Sequence, residues 1–110
     1  MAYDEVLAAR IRTLLAAEPD ITEKRMFGSQ AFLYQGHLVI CASGQGGIMV
    51  RVDPEDTVKL LASTPAEIMV MQNRPLKGWL RVNADDAQGA ALAVWVRRGL
   101  VYAKTLPPKT

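Results

Sequence analysis

Residues 25–52, RMFGSQAFLYQGHLVICASGQGGIMVRV, decide the fold, because they read as consecutive short strands joined by glycine turns. Residues 31–34 and 37–42 flank Gln35-Gly36, where glycine supplies the positive φ of a tight two-residue hairpin. In the second arm, alternation puts Leu38, Ile40 and Ala42 on one face and His37, Val39 and Cys41 on the other. Both faces are apolar, which predicts a central strand. Gly44-Gln45-Gly46-Gly47 then turns the chain into residues 48–52, with Ile48, Val50 and Val52 inward and Met49 and Arg51 on the opposite face.

Upstream, residues 21–26 (ITEKRM) are β-permissive but charged, the pattern of an edge strand whose outer face is wet. Before them Tyr3, Leu7, Ile11, Leu14 and Leu15 recur at helical spacing, which predicts an amphipathic helix ending near Ala17, ahead of Pro19. Downstream, Asp53-Pro54-Glu55-Asp56 has the chemistry of a helix start: a capping carboxylate, proline at the first position and acids against the macrodipole. Val58 and Leu61 give that helix a buried side, and Thr64-Pro65 ends it.

Residues 67–71 read as a strand, residues 72–78 as a turn rich in breakers, and residues 79–82 as the returning partner. Asn83, Asp85 and Asp86 cap a long last helix in which Leu92, Trp95, Val96, Gly99, Tyr102, Ala103 and Leu106 keep helical spacing. Gly99 is a candidate break, Pro107-Pro108 the end, and residues 107–110 a loose tail. The order α-β-β-β-β-α-β-β-α predicts an α+β domain, an antiparallel sheet covered by helices in two layers.

The 110 residues fit one domain, which at this size buries about two-thirds of the surface its unfolded chain exposes. The lone Cys41 excludes an internal disulfide and a CxxC or zinc pattern, which fits a reducing compartment. No signal-peptide pattern follows Met1 and no apolar run approaches the roughly 20 residues that span a bilayer. The expectation is a soluble, cytoplasmic chain without membrane attachment. Net charge is +2, but residues 1–63 carry 6 Lys/Arg against 8 Asp/Glu and residues 64–110 carry 7 against 3. That bias is too small to imply nucleic acid by itself.

Catalysis needs a base, a nucleophile or a metal set. His37 and Cys41 are the one histidine and the one cysteine, and on one extended strand they stand about 13 Å apart, out of hydrogen-bond reach. Cys41 reads as a small core residue and His37 as a polar residue flanking a turn. The glycine tetrad matches no phosphate-binding pattern and leads into a strand, so it reads as a hairpin turn. The carboxylates gather at helix starts, where capping explains them. No catalytic residue, metal site or cofactor is expected.

The cations are the open question. Arg74, Lys77 and Arg81 flank a turn carrying Trp79, and Arg97, Arg98 and Lys104 lie on the last helix. A cation beside an exposed aromatic suits nucleic-acid bases or an acidic partner. The alternative is that Trp79 packs inward over an ordinary solvated surface. Arg25 and Arg51 extend the patch if their strands present that face, making Arg25, Arg51, Arg74, Lys77 and Trp79 the candidate partner-binding set.

Four motifs in order, Arg25-Met26-Phe27-Gly28, Met49-Val50-Arg51-Val52, Arg74-Pro75-Leu76-Lys77-Gly78-Trp79 and the run from Trp95 through Arg97, Arg98, Gly99 and Lys104 to Pro107, span nearly the whole chain. In them the chain resembles the N-terminal domain of the TfoX (Sxy) competence-regulator family. The resemblance implies a bacterial regulatory α+β domain; full-length members act in competence gene regulation alongside the cyclic AMP receptor protein. Two departures stand out. The sequence stops after the first domain, which reads as a stand-alone TfoX-N-like domain, and Ser29 stands where the family pattern usually has a second glycine. The family motif supplies no catalytic residue. Expected partners are therefore a protein of the transcription machinery, weakly bound nucleic acid on the basic C-terminal half, a small molecule in a concave apolar pocket, or a second copy through an edge strand or helix face.

Overall fold

The computed structural model describes residues 3–26 and 28–108. Its elements run α1 (Glu5–Leu14), β1 (Ile21–Met26), β2 (Ser29–Tyr34), β3 (His37–Ala42), β4 (Ile48–Arg51), a 3₁₀ turn (Pro54–Asp56), α2 (Thr57–Ser63), β5 (Glu67–Met71), β6 (Arg74–Val82), a 3₁₀ turn (Ala84–Asp86) and α3 (Gly89–Lys104). The six strands form one antiparallel sheet ordered β1-β2-β3-β4-β6-β5. The expected α+β class and element order are both present. β6 inserts between β4 and β5, so the chain from β4 through α2 to β5 crosses over it.

Local chemistry fixes most boundaries. The Asp4 carboxylate accepts from the backbone N–H groups of Val6 and Leu7 and starts α1. Asp53 does the same for Glu55 ahead of Pro54. Gln35 and Gly36 both have positive φ (49° and 88°), the geometry of the β2–β3 hairpin, and Gln35 is held there by Asp20 through backbone and side chain. The tetrad is a turn as expected, with the Ser43 N–H donating to the Gly47 carbonyl.

Five details depart from the alternation. The register shifts between Phe32 and Leu33, so Val39 and Ile40 together oppose Phe32 and both enter the helix-side core, while Leu38 joins Cys41 on the other face. A β-bulge of one extra residue produces that switch. α1 stops at Leu14, and Leu14, expected inside, lines an open cleft between α1 and α3. The 3₁₀ lead-in sets the phase of α2 so that Thr57 and Leu60 are buried and Leu61 is half-buried, leaving Val58 exposed. The turn expected over residues 72–78 is only Gln72-Asn73, both at positive φ, and β6 already begins at Arg74. Finally, α3 runs unbroken through Gly99, where a Cβ would stand 2.4 Å from the Val39 carbonyl oxygen. Glycine there lets the helix sit on the bulge.

The main core lies between one sheet face and the helices. α1 contributes Leu7, Ala8 and Ile11, α2 Leu60, α3 Leu92, Trp95, Val96 and Ala103, and the strands Phe32, Ile40, Val50 and Leu80. A second, smaller cluster of Ala31, Leu38 and Cys41, flanked by Met26, Leu33, Met49 and Trp79, contains no helix residue. Among the described residues the helices cover one face of the sheet and leave the other bare.

Candidate functional site

Register identifies the residues of the bare face. One row crosses all six strands: Lys24, Ala31, Cys41, Met49, Arg81, Glu67. Directly paired residues on neighbouring antiparallel strands point the same way, so this row shares one face. The adjacent row, Glu23, Phe32, Ile40, Val50, Leu80, Ile68, belongs to the helix side. Met26 and Leu33 on β1 and β2 and Met69 and Met71 on β5 join the bare face, which is concave and holds a trough of about 820 Å³. Every methionine beyond Met1 lines it. Unbranched thioether side chains adapt to varied contours, a property that methionine-rich binding surfaces exploit.

Trp79 reaches this face by a particular construction. Ile68 pairs with Leu80 but the next residue, Met69, pairs with Leu76, so Lys77, Gly78 and Trp79 bulge out of the β5–β6 ladder. Gly78 (φ 86°) holds the bulge: its carbonyl accepts from the Val52 N–H and its own N–H donates to the buried Thr57 hydroxyl, each at 2.8 Å. A Cβ there would lie 2.9 Å from the Val52 carbonyl oxygen. Trp79 thereby pairs with Arg51, whose guanidinium carbon sits 5.1 Å from the Trp79 ring centre and 5.5 Å from that of Tyr102. Trp79 is half-buried and packs on the bare-face cluster, so both sequence readings of it are partly met.

The five candidate residues do not form one cluster. Arg51 and Trp79 are together, and register puts Arg74, paired with Met71, on the same face at the far end of the β5–β6 hairpin. Lys77 is exposed in the bulge. Arg25 is on the helix side, where it donates to the Tyr3 hydroxyl at 3.3 Å and stacks over that ring. A step of one residue along the strand separates it from Lys24, which is on the bare face. The sequence reading noted Arg81 beside the Trp79 turn but left it out of the candidate set, and it missed Lys24 and the methionines. Only Met49 carried a signal, that of parity, because it alternates with the core residues Ile48 and Val50.

Charge differs between the two faces. On the helix side Arg12 donates to both carboxylate oxygens of Glu23 (2.7 and 2.6 Å) and Lys104 pairs with Glu18 (2.9 Å). The bond from Arg12, assisted by one from Gln30, holds the Glu23 carboxyl below its ordinary range. Neither of these ion pairs, the ones within 4 Å among the described residues, involves the bare face. There Lys24, Arg51, Arg74 and Arg81 face a single strand carboxylate, Glu67. Arg81 donates instead to the Gln45 side chain.

Cys41 lies in the floor of the trough, where burial pushes its thiol up and keeps it protonated, the poor nucleophile. His37 is buried rather than merely flanking a turn; its Nε2–H donates to the Pro107 carbonyl at 2.5 Å, which pins Pro107 against β3. Lys109 and Thr110, the rest of the expected tail, lie outside the described residues. Among the described residues no group of three His, Cys, Asp or Glu is arranged to hold a metal ion, and no helix is long and apolar enough to cross a membrane.

A family model described as the TfoX N-terminal domain matches residues 13–103, most of the chain. The chain belongs to the TfoX N-terminal domain family. Within that match fall all six strands, the bulge at Gly78 and the close approach of Gly99 to Val39. Searches of curated proteins and of solved structures returned no match. The position at which this TfoX N-terminal domain has Ser29 has a local use: its hydroxyl accepts from the Gly44 N–H at 2.9 Å and ties the β1–β2 turn to the tetrad.

Proposed function

We propose that this TfoX N-terminal domain is a non-enzymatic regulatory module, working in transcription, that docks a protein partner on its bare sheet face. The observation that carries the reading is the trough itself: a methionine-lined apolar surface with no covering layer and a half-buried tryptophan at one side. Sheets in two-layer folds commonly leave one face to solvent, and that face is then polar. Here its floor is the buried Ala31, Leu38 and Cys41, and the surface above it is the half-buried Leu33, Met49, Met69 and Trp79 with the exposed Met71, an apolar lining that supports reading the face as an interaction site. Family membership supports the regulatory class.

Direct nucleic-acid binding by the basic C-terminal half has less support. Lys104 pairs with Glu18 at 2.9 Å, so the last helix spends that cation within the fold. A small-molecule site is favoured by the volume of the trough, which falls within the range of ligand pockets of about 300–1,000 Å³. The trough, however, runs across the sheet. Six strands span about 24 Å at about 4.8 Å per spacing, a shape suited to a polypeptide segment.

The test is a comparative pull-down from the native host with wild type, a Met49→Gln/Met71→Asp variant of the bare face, and Arg25→Glu on the helix side. Loss of a partner in the first variant and its retention in the second is the expected result. Retention of every partner by the bare-face variant would remove this face from consideration.

A further inference from the structure

The helix side and the bare face treat their cations differently, and the difference specifies a ligand. Arg12 and Lys104 have carboxylates within 3 Å. On the bare face, Lys24 stands at the β1 edge, Arg51 beside Trp79, Arg81 in the middle of the row and Arg74 at the hairpin end, none with an ion pair among the described residues. Their apolar neighbours are Met26, Leu33, Met49, Met69, Met71 and Trp79. The result is an apolar trough rimmed on several sides by cations, with one opposing acid, Glu67.

We propose that the trough binds an acidic amphipathic segment of a partner protein, its apolar stripe on the methionines and its carboxylates on Arg51, Arg81, Lys24 and Arg74. This rests on the docking reading given above and adds the chemical class of the ligand. A second copy of the chain is disfavoured on this face, because two such faces would oppose cation to cation. A nucleic acid would meet the charge but not the surface: among the described residues Trp79 is the one aromatic lining the trough, and single strands bind by stacking successive bases on aromatic rings. Aliphatic thioethers match leucine, isoleucine and phenylalanine side chains of a helix laid in a groove. A trough of about 24 Å accepts roughly 16 helical residues at about 1.5 Å each.

The test uses the full chain with ¹³C-methyl methionine. Because Met26, Met49, Met69 and Met71 all line the trough, their methyl resonances report its occupancy directly. Four probes are titrated: a synthetic helix-forming peptide with a leucine stripe and glutamates elsewhere, the same peptide with lysines replacing the glutamates, the acidic composition scrambled to abolish the stripe, and a single-stranded RNA. The expected result is that the acidic amphipathic peptide shifts the four methyls and binds at least about tenfold more tightly than the other three, with affinity falling as salt rises. Arg51→Glu/Arg81→Glu should reverse the preference between the acidic and basic peptides. The exposed Lys24→Glu should weaken the acidic peptide severalfold even if that double variant fails to fold.

Equal affinity for the acidic and basic stripes would overturn the charge class while leaving the docking reading standing. Tightest binding by the RNA, with the methyls shifted, would overturn the proposal in favour of nucleic acid. Methyls unmoved by any probe would overturn both the proposal and the docking reading.

Discussion

The two faces of this sheet are built from the same strands, one residue out of step, and they differ in covering, side-chain type and charge. The row through Glu23, Phe32, Ile40, Val50, Leu80 and Ile68 is sealed by helices over its four middle residues and joins charge at its exposed β1 end, where Glu23 meets Arg12. Its neighbour through Lys24, Ala31, Cys41, Met49, Arg81 and Glu67 has small or flexible apolar residues in the middle, cations toward its ends and no helix above it. Shape-fixing branched and aromatic side chains fill the side that must hold the fold together. Adaptable methionines fill the side left open. Stability should therefore reside in the first row and recognition in the second.

Substitutions along the rows break or sharpen that contrast. Phe32→Ala, at a fully buried position under the helices, should cost about 3–5 kcal/mol, read as a lowered urea midpoint. A smaller loss is expected from Gly99→Ala. In an exposed helix that change gains about 1 kcal/mol of propensity, but here the new Cβ would meet the Val39 carbonyl at 2.4 Å, and backbone cannot swing aside. An overlap this close with backbone puts overpacking at the upper end of about 1–3 kcal/mol and leaves a net loss of about 2 kcal/mol; a gain in thermal midpoint would show that α3 can lift from the bulge freely. Thr57→Val leaves the buried Gly78 N–H without its acceptor, for about 1.5 kcal/mol, and tryptophan fluorescence should report the loosened bulge at Trp79.

Across the sheet, Met49→Ala should stay within about 1 kcal/mol of wild type in the same denaturation assay, because the residue is only half-buried on an uncovered face. A loss comparable with that of Phe32→Ala would erase the distinction between the rows. The smallest effect belongs to pH. Glu23 is held below its ordinary carboxylate range by the bond from Arg12, so its contribution is present above that range and is lost as the pH falls toward the depressed value. Urea midpoints measured through that window should fall less for Glu23→Gln than for wild type, and the difference should shrink in salt because the pair is solvent-facing.

Much of the fold was legible because each signal was local. Asp53-Pro54, Gln35-Gly36 and the alternation of Ile48, Val50 and Val52 each specify a conformation within a few residues, and those assignments agree with the structure. What escaped was set by contacts distant in sequence. The extra residue at Val39 is accommodated against α3, sixty positions on, and nothing near Leu38 announces that it changes face. Gly78 reads as a turn breaker in sequence but serves as a strand bulge because Thr57 and Val52 receive its backbone groups. The candidate site was half legible for the same reason. Arg51 with Trp79 could be suspected from charge and aromaticity, whereas the exclusion of Arg25 and the inclusion of Lys24 follow from a pairing register that only the assembled sheet defines.

Gathering Met26, Met49, Met69 and Met71 onto one surface also makes that surface chemically vulnerable in a way its opposite is not. Among the described residues the helix-side core contains no thioether, whereas peroxide reaching the trough would convert its lining to sulfoxides, adding a strong dipole and a stereocentre at each sulfur. Under the docking proposal, an oxidised domain would keep its fold and bind the acidic segment more weakly, and methionine sulfoxide reductase would restore the binding.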